Sequence, residues 1–180
     1  MKIMRVFFAI TFYEKTKDKL LEYKNLVASN SIKGKFTDKD NLHLTLEFIG
    51  EVDEKNLKVL ISILHRLQKG PINLVTSDIG SFKRGNKEII WLGIKKNEEL
   101  IELQRELKKL LVDNKFKVDD RKYTPHITIG RQIIIDNKIK PNKFESIEIP
   151  IRSIVIMESK RVNEKLVYEP LEEIMLKNIH

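Results

Sequence analysis

The sequence predicts a mixed α+β fold with an approximate internal duplication. Apolar residues make up 41% of the 180 residues, which is enough to fill the core of one domain. Segments with the periodicity of strands alternate with segments that have the periodicity of helices. One tetrapeptide pattern, in which histidine and threonine alternate with apolar residues, occurs once in each half of the chain. We therefore expect a single domain over residues 1–180, built from two pseudo-symmetric lobes.

The first half of the chain predicts a strand, a helix, a loop, a strand and a helix. β-Branched and aromatic residues favour the strands, and regularly spaced apolar residues favour the helices. An aspartate can cap the second helix, and a Gly-Pro pair is typical of a helix end. The predicted elements are a strand at 3–12, a helix at 14–28, a loop at 30–40, a strand at 42–49 that stops at Gly50, and a helix between Asp53 and Gly70-Pro71.

The second half predicts two strands, a helix and three further strands. A basic connection with a Gly-Asn pair, which favours a tight turn, joins the first two strands. The predicted elements are strands at 72–82 and 88–95, a helix at 98–113 capped by Asn97, strands at 125–135, 144–157 and 166–176, and a loop at 136–143.

Composition narrows the class of protein. Cysteine is absent, which excludes a disulfide scaffold, a cysteine zinc site, an iron–sulfur cluster and a thiol nucleophile. The apolar run near the N-terminus is too short for a signal peptide or a membrane span. We therefore expect a cytoplasmic protein without a membrane-spanning segment.

The net charge of +8 favours an anionic partner such as RNA. The alternative is that lysine supplies an ordinary solvated surface. The charge alone does not separate these two interpretations.

The repeated pattern consists of His43-Leu44-Thr45-Leu46 and His126-Ile127-Thr128-Ile129. Two such matches among four histidines arise by chance with a probability on the order of 0.0003 for this composition. In a strand, residues i and i+2 point to the same face. Each strand is therefore expected to present one imidazole and one hydroxyl on one face and to pack its apolar residues behind them.

Two histidines and two threonines facing each other suit phosphate-ester chemistry without a metal. An imidazole with a pKa of about 6.5 can donate or accept a proton near neutrality. One imidazole on each side of a phosphorus matches an in-line displacement, and threonine hydroxyls can donate to its non-bridging oxygens. The alternative is a pair of solvent-facing strand histidines. Neither motif has a second histidine or a cysteine on its face, so a metal site is not predicted.

The sequence resembles a known family at the residues around both motifs. The segments NLHLTLEFIGEV at 41–52 and YTPHITIGR at 123–131 resemble the two signatures of the 2H phosphoesterase superfamily. Within that superfamily the chain resembles the RNA 2′,3′-cyclic phosphodiesterases, also called 2′-5′ RNA ligases. The segments at 4–12 and 79–94 resemble further parts of the family. The resemblance implies a LigT-like α+β fold, with two lobes that are each an antiparallel sheet with outer helices around a central cleft.

The resemblance also implies an activity. It implies metal-independent hydrolysis of a 2′,3′-cyclic phosphate at an RNA end to a 2′-phosphomonoester, with no cofactor. The substrate would be an RNA end, including tRNA fragments, or a small cyclic nucleotide, and we expect a monomer. One alternative is ligation of tRNA halves through a 2′-5′ linkage. Another, from a different class, is a module that binds RNA ends without chemistry.

The family's residue roles transfer by position in the motifs. His43 corresponds to the proton donor to the departing 3′-oxygen, and His126 to the base that activates water. Thr45 and Thr128 correspond to the residues that hold the phosphate. Arg131 follows the second motif, where the family carries an arginine, and is expected to contact the phosphate. Strict alternation places Arg131 on the wrong face, but a bulge at the preceding glycine would redirect its side chain.

Other residues near the motifs are candidates for contact with RNA. Trp91 and Phe48 could stack on a base, although alternation places Phe48 on the back face and favours core packing. Glu47 shares the face of His43 by alternation and could orient its ring, or it could be a solvated charge at the rim. The residues expected to contact RNA are Lys83, Arg84, Arg121 and Tyr123.

Overall fold

The computed structural model describes residues 1–136 and 145–176, and within them the chain forms eight strands, three α-helices and one 3-10 turn. The loop expected at 136–143 lies outside the described residues except for Asp136, as does the first residue of the strand expected at 144–157. In chain order, the elements are β1 (Ile3–Phe12), α1 (Glu14–Ser29), β2 (Ser31–Phe36), the 3-10 turn (Lys39–Asn41), β3 (Leu44–Asp53), α2 (Glu54–Arg66), β4 (Asn73–Arg84), β5 (Lys87–Ile94), α3 (Glu98–Asp113), β6 (His126–Ile135), β7 (Glu148–Val162) and β8 (Lys165–Ile174).

The strands form two antiparallel groups. One has the order β3-β1-β7-β8, and the other has the order β2-β6-β5-β4. A short pairing between the starts of β4 and β7 joins the groups into one sheet. Helix α1 packs against β2 and β6, whereas α2 and α3 pack against each other and against β3. This arrangement confirms the predicted α+β class, and each motif lies in a different group.

Strand β1 is buried on both faces, as its continuous apolar sequence predicts. On one face, Val6, Phe8 and Ile10 belong to the main core that the helices cover. On the other face, Phe7 and Ala9 form a smaller cluster with two residues of β7 and with Tyr168 of β8. The smaller cluster supports the face on which the first motif lies.

Both predicted helix caps are present. The side chain of Asp53 accepts a hydrogen bond from the Asn56 amide at 2.8 Å, and Asn97 accepts one from the Leu100 amide at 2.9 Å. These bonds satisfy amide groups that have no partner inside a first helical turn. Helix α2 ends at Arg66, before the predicted Gly-Pro stop. Among the described residues, no helix combines the length and the apolar character needed to cross a bilayer.

Strand β2 is an element that the sequence did not predict. It lies within the stretch 30–40, which is polar and was expected to be a loop. The strand pairs with β6 on one side and is an edge of the sheet, so it buries little and needs few apolar residues. A side chain at Gly34 would place its Cβ 2.2 Å from Ile133 Cδ1, so the glycine permits the close approach of β2 to β6.

Candidate active site

The first motif holds His43 in one orientation. His43 directly precedes β3, and its Nδ1 lies 2.7 Å from the Asn41 carbonyl oxygen. A carbonyl oxygen can only accept, so Nδ1 carries the proton in the neutral ring. The Nε2 atom is then free to accept, and the Thr45 hydroxyl donates to it at 3.0 Å. The motif therefore presents Nε2 as the reactive atom, next to a hydroxyl.

The side chain of Asn41 connects this motif to the last strand. Its Nδ2 donates to the Leu166 carbonyl oxygen at 2.9 Å, and its Oδ1 accepts from the Tyr168 amide at 3.2 Å. This pairing fixes Tyr168 so that its ring meets the His43 ring edge-on, with the centroids 5.0 Å apart. The Phe7 ring also lies 5.0 Å from the His43 ring. His43 is thus enclosed by two aromatic rings.

The pKa of His43 is far below its usual range in the ligand-free protein. Burial lowers it to about 4, against the opposing effect of the hydrogen bond to Asn41. Electrostatic repulsion from Arg131, and to a smaller extent from the His126 ring, lowers it further. His43 is therefore neutral at physiological pH in the ligand-free protein.

The second motif repeats the contact that orients the ring. The Nδ1 atom of His126, the first residue of β6, lies 2.8 Å from the Thr124 carbonyl oxygen, again two residues upstream. Two aromatic rings that contact each other also lie near His126, with centroids 5.9 Å away for Phe82 and 5.8 Å away for Trp91. Both histidines therefore donate from Nδ1 to a backbone carbonyl, leave Nε2 for chemistry, and pack beside a pair of aromatic side chains.

A cavity of about 330 Å³ opens beside His43 and brings residues of both motifs together. Thr128 and Arg131 of β6 line it together with His43, whereas His126 and Thr45 do not line it. It is lined by Lys35, Phe36, Thr37, Asp38, Asn41, His43, Thr128, Arg131, Gln132, Arg161, Glu164, Leu166 and Tyr168. A larger cavity of about 600 Å³ lies near the start of α1, between Tyr13 and Arg152, and no motif residue lines it. The smaller cavity is therefore the candidate active site.

Arg131 reaches this cavity because β6 contains a bulge. Between Thr128 and Gly130, β6 has one more residue than the facing segment of β5, which moves Arg131 to the face of Thr128, and a second extra residue follows between Gly130 and Ile133. Gln132, within this segment, has a φ of 53°, in the left-handed region that bulges often use. Ile133 turns into the core while Arg131 lines the cavity. Arg131 lies on the face of Thr128, as expected, although the shift that places it there begins before Gly130. The contact between Arg131 and a phosphate stays a prediction.

A bulge in β3 overturns both interpretations of Glu47. Between Thr45 and Glu47, β3 has one more residue than the facing segment of β1. Glu47 therefore lies on the side of Phe8 and the helices, not on the side of Thr45. Its side chain is buried, with 5% of its surface exposed. One carboxylate oxygen accepts from the Gln104 amide at 2.9 Å and the other from the Asp119 backbone amide at 3.1 Å. Glu47 is not a solvated rim charge and does not share the face of the histidine.

The same bulge explains why the expectation for Phe48 was wrong. Phe48 pairs with Phe7 of β1 and shares its face, away from the main core. Its ring is 47% exposed, and the Arg5 guanidinium lies 5.0 Å from the ring centroid. Core packing of Phe48 was predicted from strict alternation, which fails beyond the bulge.

The residues expected to contact RNA lie in two places. Lys83 and Arg84 are exposed at the end of the β4–β5 hairpin, whose Phe82 meets His126. Arg121 is exposed and pairs with Asp119 at 2.6 Å, which lowers the pKa of that carboxyl to about 2. The Tyr123 hydroxyl donates to the Thr45 carbonyl oxygen at 2.8 Å. Burial, helped by the charge of Glu47, raises the pKa of Tyr123. Contact with RNA stays a prediction for the four residues named for it.

Sequence reasoning missed several residues that support the site. Phe7 and Tyr168 enclose His43, and the side chain of Asn41 joins its motif to β8. Phe7 and Tyr168 are far from His43 in sequence, so no local pattern links them to it.

Over residues 1–136 and 145–176, no group of three or more His, Cys, Asp or Glu side chains is placed to hold a metal ion.

The fold and the paired motifs define the class of two-histidine phosphoesterases. The sequence pattern of the 2′-5′ RNA ligase superfamily matches residues 24–161, which is well over half of the chain. The chain belongs to the 2′-5′ RNA ligase superfamily.

Relatives with this fold cover nearly the whole chain. The RNA 2′,3′-cyclic phosphodiesterase of Methanocaldococcus jannaschii is 33% identical over 178 residues, which are 94% of this chain and 99% of the relative. The protein with the same name from Thermotoga maritima is 30% identical over 177 residues, 94% of each chain. The crystal structure of E. coli LigT complexed with 3′-AMP superposes with a TM-score of 0.83 at 26% identity, covering 98% of this chain and 100% of that one.

Proposed function

We propose that this chain hydrolyses 2′,3′-cyclic phosphate ends of RNA to 2′-phosphomonoesters, with His43 and His126 as acid and base. The observation that carries the proposal is the matched geometry of the two motifs. Each histidine is fixed at Nδ1 by a carbonyl two residues upstream, which leaves Nε2 for proton transfer. The names of the M. jannaschii and T. maritima relatives support the same substrate.

In the proposed reaction, each histidine handles one proton. His126 Nε2 takes a proton from water as the water oxygen bonds to phosphorus. The bond from phosphorus to the 3′-oxygen breaks, and His43 Nε2 gives its proton to that oxygen. Entering and leaving oxygens lie on opposite sides of the phosphorus, as an in-line displacement requires. The cyclic phosphate thus becomes a 2′-phosphomonoester with a free 3′-hydroxyl.

The low pKa of His43 in the free protein is compatible with its role as the acid, because bound substrate changes the charge around its ring. A phosphodiester anion beside the ring favours its charged form and offsets the charge of Arg131. The substrate thereby brings about the protonation that His43 needs as an acid. Protonation of Nε2 also releases the Thr45 hydroxyl, which donates to Nε2 in the free protein. That hydroxyl can then donate to a non-bridging phosphate oxygen.

The cavity has the chemistry of a site for the terminal nucleotide. Arg131, Lys35 and Arg161 supply positive charge, and Thr128 supplies a hydroxyl. Tyr168 and Phe36 supply apolar walls suited to a ribose or a base. We therefore place the phosphate between Arg131 and His43 and the terminal nucleoside in the cavity.

Variants of the histidines test the proposal. We expect His43→Ala and His126→Ala each to lower hydrolysis of an oligonucleotide with a 2′,3′-cyclic phosphate by at least about 100-fold, since each removes a general acid or base. The matched control is His65→Ala, because His65 is an exposed histidine on α2 that pairs with Glu172. Circular dichroism checks that each variant is folded.

The proposed mechanism routes every proton through a side chain and uses no metal. We therefore expect EDTA to leave the rate unchanged. A requirement for a divalent metal, or full activity in the double variant, would overturn the mechanism.

Ligation through a 2′-5′ linkage is a second candidate, which the superfamily's name favours. Its product is a longer RNA, which gel analysis separates from a hydrolysed end. Binding of the cyclic end by the wild-type protein without turnover would instead identify a module that binds RNA without chemistry. We also propose that the protein acts on RNA in the cytoplasm and is a monomer. Cell fractionation tests the location, and size-exclusion chromatography tests the oligomeric state.

A further inference from the structure

The hairpin formed by β7 and β8 folds over the cavity beside His43. In its group of strands, β8 lies at the opposite edge from β3. The start of β8 nevertheless reaches the segment that precedes β3, where the Asn41 side chain binds the backbone of Leu166 and Tyr168. The hairpin therefore forms one wall of the cavity, to which it contributes Arg161 as its cation.

A tight turn at the end of this hairpin fixes the Arg161 side chain. Asn163 and Glu164 have φ values of 50° and 65°, in the left-handed region that both central residues of a type I′ hairpin turn adopt. Arg161 Nη1 donates to the Glu164 carbonyl oxygen at 2.9 Å. This bond uses one of the five N–H groups of the guanidinium. The remaining N–H groups can bind an anion from a side chain that is already held in place.

Arg161 lies further from the reacting phosphate than the Tyr168 ring does. In the β7–β8 register, Arg161 faces Leu166, which is two residues from Tyr168. Two residues of a strand span about 7 Å, and the Tyr168 ring lies beside His43. With the cyclic phosphate between Arg131 and His43, Arg161 is placed toward the part of the terminal nucleoside that is remote from that phosphate.

The charges along the cavity exceed what one cyclic phosphate needs. The charged residues that line the cavity are Lys35, Asp38, Arg131, Arg161 and Glu164. Asp38 pairs with Lys165 at 3.2 Å, and the other four form no ion pair in the part of the chain that the structure describes. Three cations and one carboxylate remain, which leaves two positive charges for a ligand. A cyclic phosphate carries one negative charge, and the next phosphodiester of an RNA carries a second.

We propose that Arg161 is a specificity-determining residue that binds the phosphate on the 5′ side of the terminal nucleotide. This inference rests on the proposed function and narrows its preferred substrate to cyclic ends that carry a 5′-phosphodiester. A guanidinium suits this contact because its planar fork can bind two phosphate oxygens at once. A free cyclic mononucleotide has only a hydroxyl at that position and lacks the contact.

Two small substrates that differ only at the 5′ position test the inference. One is adenosine 2′,3′-cyclic phosphate with a free 5′-hydroxyl, and the other carries a 5′-methyl phosphate diester. For the wild-type protein, we expect kcat/KM to be about twofold to fivefold higher for the methyl phosphate, the range of an ion pair open to solvent. Arg161→Gln should remove this preference. Arg161→Lys should keep part of it, because lysine retains the charge without the fork.

The matched control variant is Lys160→Gln. Lys160 directly precedes Arg161, pairs with Glu169 and does not line the cavity, so its replacement should leave the ratio of the two kcat/KM values unchanged. A neutral 5′-dimethyl phosphate has nearly the same shape as the diester and should react like the free hydroxyl. The inference is overturned if the wild-type protein treats all three substrates alike, if the neutral substrate shares the preference, or if the preference survives in Arg161→Gln.

Failure of the wild-type protein to hydrolyse any of these substrates would contradict the proposed function. Isothermal titration calorimetry then tests the inference separately. The diester should bind the wild-type protein more tightly than the free hydroxyl does, and Arg161→Gln should bind the two with equal affinity. Equal affinities for the wild-type protein would overturn the inference.

Discussion

Each candidate catalytic histidine is oriented by a neutral backbone carbonyl, where many enzymes use a carboxylate. A carboxylate would favour the charged imidazolium, whereas a carbonyl oxygen fixes the ring with a weaker effect on its charge. For His43, burial therefore dominates and the pKa falls to about 4. The charge on this residue is then controlled by what lies beside it in the cavity.

Replacing Arg131 tests whether a charge in the cavity sets the pKa of His43. The positive charge of Arg131 lowers the pKa of His43, so Arg131→Gln should raise it above about 4, toward the ordinary value for histidine. NMR titration of the His43 ring in the ligand-free protein measures the change. The same variant should bind phosphate more weakly, because a guanidinium in the cavity is lost.

The control for this titration is Arg152→Gln, which removes an equal charge from a residue paired with Glu173 outside the site. It should leave the titration of His43 unchanged. An unchanged or lower pKa of His43 in Arg131→Gln would show that the guanidinium does not act on the ring.

At the level of elements, bulges in β3 and β6 decide which side chains share the face of the histidines. Alternation predicts the face correctly as far as the threonine of each motif and fails beyond it. In β6 the bulge is foreseen because Gly130 marks it. In β3 the extra residue lies at Leu46, which gives no such signal, so the expectations for Glu47 and Phe48 were wrong. The edge strand β2 was missed for a related reason, because a strand that buries little carries little hydrophobic pattern.

Glu47 connects the first motif strand to the segment that leads into the second motif. Its carboxylate binds Gln104 of α3 and the amide of Asp119, and the nearby Tyr123 hydroxyl binds the Thr45 carbonyl oxygen. Glu47→Ala would leave the Asp119 amide and the Gln104 side chain without their partner. We expect the free energy of unfolding to fall by about 1–3 kcal/mol, the cost of unsatisfied buried polar groups.

Urea unfolding measures this loss, with Glu54→Ala as the control because Glu54 is exposed in the first turn of α2. That control should stay within about 0.5 kcal/mol of the wild-type protein. Equal stability of the two variants would show that the buried carboxylate does not hold these segments together.

At the level of the whole molecule, the sequence predicts the fold class, most elements, both helix caps and the motif pair. Each of these has a local pattern: a period, a capping residue or a repeated tetrapeptide. No local pattern predicts the aromatic surroundings of His43, because only the pairing of strands in the sheet brings Phe7 of β1 and Tyr168 of β8 next to it. The side chain of Asn41 binds the backbone of β8 and so holds Tyr168 beside His43. The position of Asn41 in the sequence does not indicate that partner.

The net charge of +8 predicts a salt dependence that differs between substrates. Contacts between cations and RNA phosphates release counterions, so each one steepens the loss of binding as salt rises. Raising the salt concentration should lower kcat/KM for an oligonucleotide with a cyclic end more than kcat/KM for a cyclic mononucleotide. Steady-state kinetics over a range of potassium chloride concentrations measures both slopes. Equal slopes would mean that the positive surface makes no contact beyond the terminal nucleotide.

The most direct test of the two-histidine hydrolysis is to identify the product from an RNA with a 2′,3′-cyclic phosphate in water enriched in oxygen-18. Mass spectrometry and phosphorus NMR together report the bond that breaks and the origin of the new oxygen. The proposed mechanism predicts a 2′-phosphomonoester that carries one oxygen-18 atom, and no product from the variant that lacks both His43 and His126. A 3′-phosphomonoester, or the same product from the double variant, would contradict it.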